Sequence, residues 1–229
     1  MSALAAKGSE ATKKLLLKHG AREPFFGVKV ADLKPLQKEL RGDQKLAMKL
    51  YATGNGDAQY LAGMIADGAK MTPSELQEWA ENASWNLISA YTVPWVASEN
   101  PQGFVCAMKW IESKDELVAV AGWKTLSALA TIVPDEKLPL KHFLPLLDRV
   151  AKQMPSAPDN VRTAMNGFLI ASGTYVAPLG DKPIMTARRI GRIEIDQGET
   201  ACKVPDAESY ILKNRRGAAV APKRKTVRC

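Results

Sequence analysis

Hydrophobic and polar residues follow one another along most of the chain with the spacing of amphipathic α-helices, and the alternation typical of strands is almost absent. Glycines and prolines separate these helical segments by short links. The pattern therefore predicts an all-α fold of eleven or twelve helices. They are expected near residues 10–19, 31–40, 44–52, 58–66, 72–79, 84–94, 104–113, 115–132, 140–154, 161–172, 183–192 and 205–216.

Two segments and two single prolines give the clearest local signals for helices. Residues 72–75 read Thr-Pro-Ser-Glu, which predicts a capping box with proline at the first helical position. Pro35 is expected in the first turn of its helix, where proline is tolerated. Pro94 is expected to end or kink its helix, because proline removes a backbone donor. Residues 115–132 are mostly apolar on all sides, which predicts a central, buried helix.

The predicted helices between residues 43 and 173 group into pairs. Pairs of this length are typical of a HEAT-like helical-repeat solenoid, in which the sequence similarity between repeats is often too weak to recognise. A compact, non-repeating helical bundle is the alternative. We favour the solenoid, with a single α-helical repeat domain at residues 1–217 and a basic C-terminal tail at residues 218–229. The four pairs occupy residues 43–67, 72–98, 103–132 and 139–173.

The composition excludes several classes of protein. The chain has 229 residues, of which 46% are hydrophobic and 24% charged, as in ordinary globular proteins. No apolar run approaches the roughly 18 residues of a membrane span, and residues 1–14 lack the apolar core of a secretory signal. Cys106, Cys202 and Cys229 are too few and too scattered for a disulfide framework, so we expect a cytoplasmic protein without membrane partners.

Metal and cofactor chemistry are also not expected. The chain has two histidines, His19 and His142, and neither CxxC nor HExxH spacing occurs. The glycines at Gly54 and Gly56 lack the third glycine and the preceding strand of a phosphate-binding loop, and they are interpreted as a turn. Cys106 lies in an apolar helix and is interpreted as a core residue rather than a nucleophile.

Charge is distributed unevenly along the chain. Residues 1–50 hold 11 basic and 5 acidic side chains, residues 51–180 hold 9 and 13, and residues 181–229 hold 12 and 6. The formal net charge is +8. Basic ends around a mildly acidic middle favour a polyanionic partner, nucleic acid before membrane, although solvated helix faces would give the same balance.

Five tryptophans lie between the two basic ends, at positions 79, 85, 95, 110 and 123. Large aromatic residues in a helical chain are most often core residues. The functional alternative is a platform on which nucleobases stack, especially positively charged ones, through stacking and cation–π interactions.

Several segments of the chain together resemble the DNA alkylation repair family of HEAT-repeat alkylpurine DNA glycosylases. The resemblance extends over most of the chain, and no single segment is a sharp catalytic motif. It is carried by Phe26-Gly27-Val28-Lys29-Val30 with Asp32-Leu33, by Trp85-Asn86-Leu87, by Val161-Arg162 through Gly167-Phe168, by the run from Ile190-Gly191 to Pro205, and by the tail residues 223–229.

The resemblance implies a solenoid whose basic concave surface holds double-stranded DNA and which excises cationic N3- or N7-alkylated purines. In such a reaction the sugar develops positive charge as the glycosidic bond breaks, and a nearby carboxylate stabilises that charge. Aromatic faces hold the cationic base. Active members carry tryptophan and aspartate one helical turn apart, in a W-x-L-x-D pattern.

This chain departs from the family pattern at most of the functional positions. Trp85 and Leu87 match, but Ser89 stands where the aspartate is expected, and a hydroxyl carries no negative charge. In place of the family's arginine, the chain offers only Lys124, and Phe168 corresponds to a second tryptophan. The catalytic residue is therefore unassigned. Glu81, about one turn before Trp85 if the helix extends so far, is the candidate substitute carboxylate.

Three hypotheses remain: an alkylpurine glycosylase, a DNA-binding solenoid that has lost the chemistry, and a protein–protein scaffold. We favour a protein that binds double-stranded, possibly alkylated DNA and belongs functionally to alkylation repair. Whether it is an enzyme, and its oligomeric state, stay open, as does any role for Cys229. The residues expected to contact DNA are Trp85, Lys124, Arg162, Phe168, Arg188, Arg189, Lys223, Arg224 and Lys225.

Overall fold

The computed structural model describes residues 1–195 and 204–228. Within these ranges it contains thirteen α-helices, several single 3-10 turns and no strand. Part of the family-like run between Ile190 and Pro205, together with Cys202 and Cys229, lies outside the described residues. The helices are α1 (Ser2–Ala5), α2 (Glu10–Lys18), α3 (Val30–Leu40), α4 (Gln44–Ala52), α5 (Gly56–Ile65), α6 (Pro73–Glu81), α7 (Val93–Glu99), α8 (Gly103–Trp110), α9 (Glu116–Ile132), α10 (Phe143–Gln153), α11 (Asp159–Tyr175), α12 (Lys182–Ile190) and α13 (Ala207–Arg215).

The middle helices form the predicted pairs. Helices α4, α6, α8 and α10 each precede a partner, and the partners α5, α7, α9 and α11 stack successively against one another as an inner row. Helix α3 packs on the first inner helix, and α12 and α13 pack on the last. The fold is thus the expected HEAT-like solenoid and not a compact, non-repeating bundle. Its core has two parts, one for each half of the chain, as expected when each repeat contacts mainly its neighbours.

Short-range signals in the sequence place most helix ends. Thr72 Oγ1 accepts a hydrogen bond from the Glu75 N–H at 3.2 Å, and the Glu75 carboxylate accepts one from the Thr72 N–H at 2.7 Å. The predicted capping box is therefore confirmed. Ser9 likewise caps α2, and Asp115 caps the long, almost wholly buried α9.

Pro35 and Pro94 do not occupy the helix positions that the sequence predicted. Pro35 is in the second turn of α3, because this helix begins at Val30, and it lacks the backbone donor of an interior residue. Pro94 neither ends nor starts its helical run, which continues to Glu99. A π-helical segment, Ile88–Thr92, precedes it, so that Pro94 falls in the first turn of the regular α7 segment, where proline is tolerated.

A buried carboxylate joins the N-terminal loop to the first repeat. Asp57, in the first turn of α5, accepts hydrogen bonds from the N–H groups of Phe26, Gly27 and Val28 at 2.6, 3.0 and 3.1 Å. Asp57 is 6% exposed, and the loop directs the side chains of Phe25 and Val28 into the core. Asp57 therefore anchors residues 26–28 to the first repeat.

We predict that Asp57→Ala lowers the free energy of unfolding by about 3 kcal/mol, because three buried N–H groups lose a charged acceptor. Urea unfolding followed by circular dichroism measures the change. Glu39→Ala removes an exposed carboxylate from α3 and serves as the control, with a change below about 0.5 kcal/mol. Equal stability of the two variants would contradict the anchoring role of Asp57.

Candidate nucleic-acid interface

A groove of about 300 Å³ crosses the exposed face of the inner row. The π segment and α7 form one side, α9 the floor and α11 the other side, while α13 and the C-terminal residues close one end. No carboxylate is among its lining residues in the part of the chain that the structure describes. They are Ala90, Tyr91, Pro94, Trp95, Lys124, Ser127, Ala128, Thr131, Gly167, Ile170, Ala171, Tyr175, Asn214, Arg224 and Val227.

Tyr91 presents an aromatic ring to this groove. Its side chain is 48% exposed, whereas Trp95 beneath it is almost completely buried, with the two ring centroids 6.4 Å apart. Trp95 in turn meets Tyr60 edge to face at 5.1 Å. Tyr91 is thus a surface ring backed by buried aromatic residues, an arrangement that provides a rigid surface for a flat ligand.

Lys124 places its amine at the floor of the groove. Its Nζ lies 5.8 Å from the Tyr91 ring centroid and faces Gly167 on α11. A Cβ atom at position 167 would lie 3.4 Å from Nζ, so the glycine leaves room beside the amine. Burial lowers the pKa of the Lys124 ammonium group, because desolvation disfavours its charged form.

Residues 218–228, here called the C-terminal strap, run across the ends of the inner helices. The Ala221 N–H donates to the Thr174 carbonyl at the end of α11, at 2.8 Å. The Arg224 N–H then donates to the Thr131 carbonyl at the end of α9, at 3.0 Å. The strap therefore packs on the repeat domain over its described length and forms one wall of the groove.

Two cations of the strap are held by acceptors on the repeats. Lys223 donates to the Ala130 carbonyl at 2.8 Å and forms an ion pair with Asp135, also at 2.8 Å. Arg228 reaches both α5 and α7, donating to the Gly63 carbonyl at 2.7 Å and to the Glu99 carboxylate. Cations near helix C-termini also interact favourably with the helix dipole. Lys223 and Arg228 consequently fix the strap.

The other two cations of the strap are directed to solvent. Arg224 and Lys225 are exposed, and neither side chain has an ion pair within residues 1–195 and 204–228. Arg224 lines the groove beside Tyr91 and Lys124. Of the three strap residues expected to contact DNA, these two offer their charge to a ligand, whereas the Lys223 ammonium is largely engaged.

Trp85 and Ser89 lie in the core of this structure. Trp85 is 7% exposed and packs beside Gly56, and Gln59 holds the preceding loop by accepting from the Ser84 N–H at 3.0 Å. Ser89 is fully buried in the π segment, and its hydroxyl has no hydrogen-bond partner in the structure. Neither side chain offers a surface to a nucleobase in this conformation.

Phe168 and Glu81 are likewise away from the groove. Phe168 is completely buried between Trp123 and Phe143, with centroid distances of 5.5 and 5.7 Å, and is a core residue here rather than a stacking surface. Helix α6 ends at Glu81, so Glu81 and Trp85 are not one turn apart on one helix. The Glu81 carboxylate instead accepts from Gln77 at 2.7 Å.

The structure does not bring the remaining predicted arginines into the groove. Arg162 forms an ion pair with Asp159 in the first turn of α11, at 3.1 Å. On α12, Arg188 binds Glu208, which raises the pKa of Arg188, and Arg189 lies 3.5 Å from Asp148. Only Lys124 and Arg224, among the predicted DNA contacts, line the groove together.

Tyr91 is the groove residue that sequence reasoning missed. It follows Ser89 by two positions, so regular helical spacing from Trp85 would not single it out. Both residues lie in the π segment, where Ser89 is buried and Tyr91 faces solvent. All five tryptophans, which drew attention first, are at most 7% exposed.

The described residues contain neither a metal-binding cluster nor a membrane-spanning helix. No cluster of three or more histidine, cysteine or carboxylate side chains has the arrangement needed to hold a metal ion. None of the described helices combines the length and the apolar character required to cross a membrane. Cys106 is buried, and burial raises the pKa of its thiol, as expected of a core cysteine.

Comparison with known proteins gives a family match and a close structural likeness. The model of a family described as DNA alkylation repair enzyme matches residues 1–182. A solved structure is similar over 100% of this chain and 97% of its own, with a TM-score of 0.89 and 35% sequence identity. That structure is described as "a new family of proteins related to the HEAT-like repeat DNA glycosylases with affinity for branched DNA structures".

Two bacterial relatives are similar over most of their length. They are the uncharacterised proteins Lin0241 of Listeria innocua serovar 6a and Lmo0209 of Listeria monocytogenes serovar 1/2a. Each is 30% identical over 210 residues, which is 89% of this chain and 90% of the relative.

We predict that Trp85→Ala acts through stability, lowering the free energy of unfolding by about 3–5 kcal/mol, as for other buried tryptophans. Urea unfolding measures the loss. DNA binding, measured where the variant is still folded, should fall equally for alkylated and undamaged duplexes. A selective loss on alkylated DNA from a fully stable variant would show that Trp85 contacts the lesion.

Proposed function

The chain belongs to the DNA alkylation repair family, and we propose that it binds branched DNA without excising cationic purines. DNA as the partner agrees with the family, whereas the family's reaction is not expected of this chain. The observation that carries the proposal is the groove, which combines the exposed Tyr91 ring with the cations of Lys124 and Arg224 and has no carboxylate among its described lining residues.

The charge of the groove is opposite to what cationic-base excision needs. A positively charged purine and the positive charge that develops on the sugar are both stabilised by a nearby carboxylate. Lys124 and Arg224 repel such charges when protonated, and the uncharged Ser89 hydroxyl is buried away from the groove. A phosphate backbone, in contrast, is attracted by the same two cations.

Branched DNA suits this combination of groups. A branch point brings phosphates of several strands together and leaves bases without a stacking partner. Arg224 and Lys225 can neutralise phosphates, while the Tyr91 ring offers a face to an unstacked base. The structurally similar protein with described affinity for branched DNA supports this choice of partner. The protein-scaffold hypothesis has no such support.

We predict that Tyr91→Ala weakens binding to a four-way junction about tenfold, because base–aromatic stacking contributes about 1–3 kcal/mol. Fluorescence anisotropy with labelled junction and linear duplex measures the change. Tyr210→Ala is the matched control, since Tyr210 is similarly exposed at 44% and also has a lysine, Lys213, at 5.8 Å, but does not line the groove.

The same titrations at several salt concentrations separate DNA binding from a protein scaffold. Phosphate contacts give a logarithmic affinity that falls with logarithmic salt concentration by about 0.9 per neutralised phosphate. Preference for the linear duplex, or equal losses in Tyr91→Ala and Tyr210→Ala, would contradict the proposed use of the groove.

A second prediction concerns catalysis. With protein in excess over duplex DNA containing 7-methylguanine or 3-methyladenine, base release should not exceed the spontaneous rate, because no carboxylate faces the groove among the described residues. Chromatography of the released bases measures the rate. Release above the spontaneous rate would mean that the protein is a glycosylase, and Glu81→Gln would then test the remaining carboxylate candidate.

A further inference from the structure

From the position of Lys124 we infer that the groove captures abasic DNA covalently, through an imine between the Lys124 amine and the C1′ aldehyde of a baseless deoxyribose. The inference rests on the proposed function, since DNA must first enter the groove. It adds a chemical activity that requires neither a carboxylate near the sugar nor a cationic base. The ligand class is an open-chain sugar aldehyde within a DNA strand.

The surroundings of Lys124 make its amine available. Within the described residues the Lys124 side chain forms no ion pair. Its Nζ atom lies 5.8 Å from the centroid of the Tyr91 ring. Gly167 on the facing helix leaves space next to Nζ, and Ser127 beside it already donates its hydroxyl to the Trp123 carbonyl at 2.9 Å. The amine therefore faces the groove without an acidic partner.

The charged and titratable groups that line the groove around Lys124 include no carboxylate among the described residues. Those lining the groove are Tyr91 from the π segment, Tyr175 from α11 and Arg224 from the strap. None of these is a carboxylate that would stabilise the ammonium form. Desolvation lowers the pKa of Lys124 and so increases the fraction of neutral amine at a given pH. The neutral amine is the form in which lysine attacks carbonyl groups.

The condensation needs no reactant besides the Lys124 amine and the C1′ aldehyde. An abasic deoxyribose is in equilibrium between a ring form and an open form with an aldehyde at C1′. The Nζ lone pair attacks the C1′ carbon, and the carbonyl electron pair moves to the oxygen, which takes a proton. The resulting carbinolamine expels one water molecule, and the C–N bond becomes an imine. No oxidant or metal is involved in this step.

The size and the charge of the groove suit an abasic deoxyribose and the phosphate next to it. The groove volume of about 300 Å³ accommodates a deoxyribose that has lost its base, next to the Tyr91 ring. Arg224 on the strap lines the same groove and is positioned to bind the adjoining phosphate. The sugar aldehyde is also the only free carbonyl of this reactivity in a DNA strand, since the carbonyl groups of the bases are amide-like.

Borohydride trapping tests the inference. Forked DNA with one abasic residue at the branch point is incubated with protein, and sodium borohydride reduces any imine to a stable amine link. We expect a covalent complex with the wild-type protein and at least about tenfold less with Lys124→Arg, which keeps a cation but forms no imine. Lys213→Arg is the matched control, because Lys213 is exposed, also lies 5.8 Å from a tyrosine ring and is outside the groove.

Two further readouts separate a built site from the chance reaction of a surface lysine. Peptide mapping of the complex should find the adduct on Lys124. The trapping yield should rise with pH around a midpoint below 10.5, the ordinary lysine pKa, because the reactive form is the neutral amine. Equal trapping by wild type and Lys124→Arg, or adducts on exposed lysines alone, would overturn the inference.

Anisotropy on the same fork distinguishes this inference from the proposed function. Tight binding of the wild-type protein without any trapped complex would overturn covalent capture and leave the binding function intact. Absence of binding to intact branched DNA would overturn the proposed function and the inference together. The expected result is tight binding of the wild-type protein to the fork together with a trapped complex on Lys124, and Lys213→Arg should give both to the same extent.

Discussion

The close approach of successive inner helices is the constraint on which the rest of this structure depends. A Cβ atom at Gly63 of α5 would lie 2.4 Å from the Thr92 methyl group, and one at Gly68 would lie 2.1 Å from the Val96 carbonyl oxygen. Both contacts are too short for any other residue, so glycine lets the second repeat lie directly on the first. Asn100 then secures this junction by donating to the Gly68 and Met71 carbonyls. The π segment, which carries Tyr91, packs on α5 across this junction.

The functional consequence is a change in the chemistry of the groove on an unchanged scaffold. The family positions represented by Trp85, Ser89 and Phe168 are buried, whereas Lys124, which stands in place of the family's arginine, lines the groove with the exposed Tyr91 ring. Electrostatics decides what such a surface accepts, because an unscreened cation attracts phosphate and repels a cationic base. The same desolvation that weakens the Lys124 charge increases the nucleophilic character of its amine. One buried amine therefore links DNA binding to the proposed capture of an aldehyde.

The C-terminal strap connects stability and binding. Its contacts with Thr174, Thr131, Glu99 and Gly63 cross all four inner helices in reverse order along the chain. Lys223 and Arg228 hold the strap, and of the exposed Arg224 and Lys225 between them, Arg224 lines the groove. A basic tail that looks like a solvated end in the sequence is thus a structural part of the solenoid. Fixing these cations reduces the conformational entropy that a polyanion must remove on binding.

The sequence by itself determined the helical fold class, the pairing of the helices, the capping box at Thr72 and the membership suggested by its family-like segments. These features depend on residues within a few turns of one another, or on a pattern repeated along the chain. The sequence also predicted Lys124 and Arg224 as DNA contacts, but it could not show that they share a groove. Only the tertiary structure decided that Trp85 is buried and that Tyr91 is exposed at a groove, because helices that are distant in sequence form that groove.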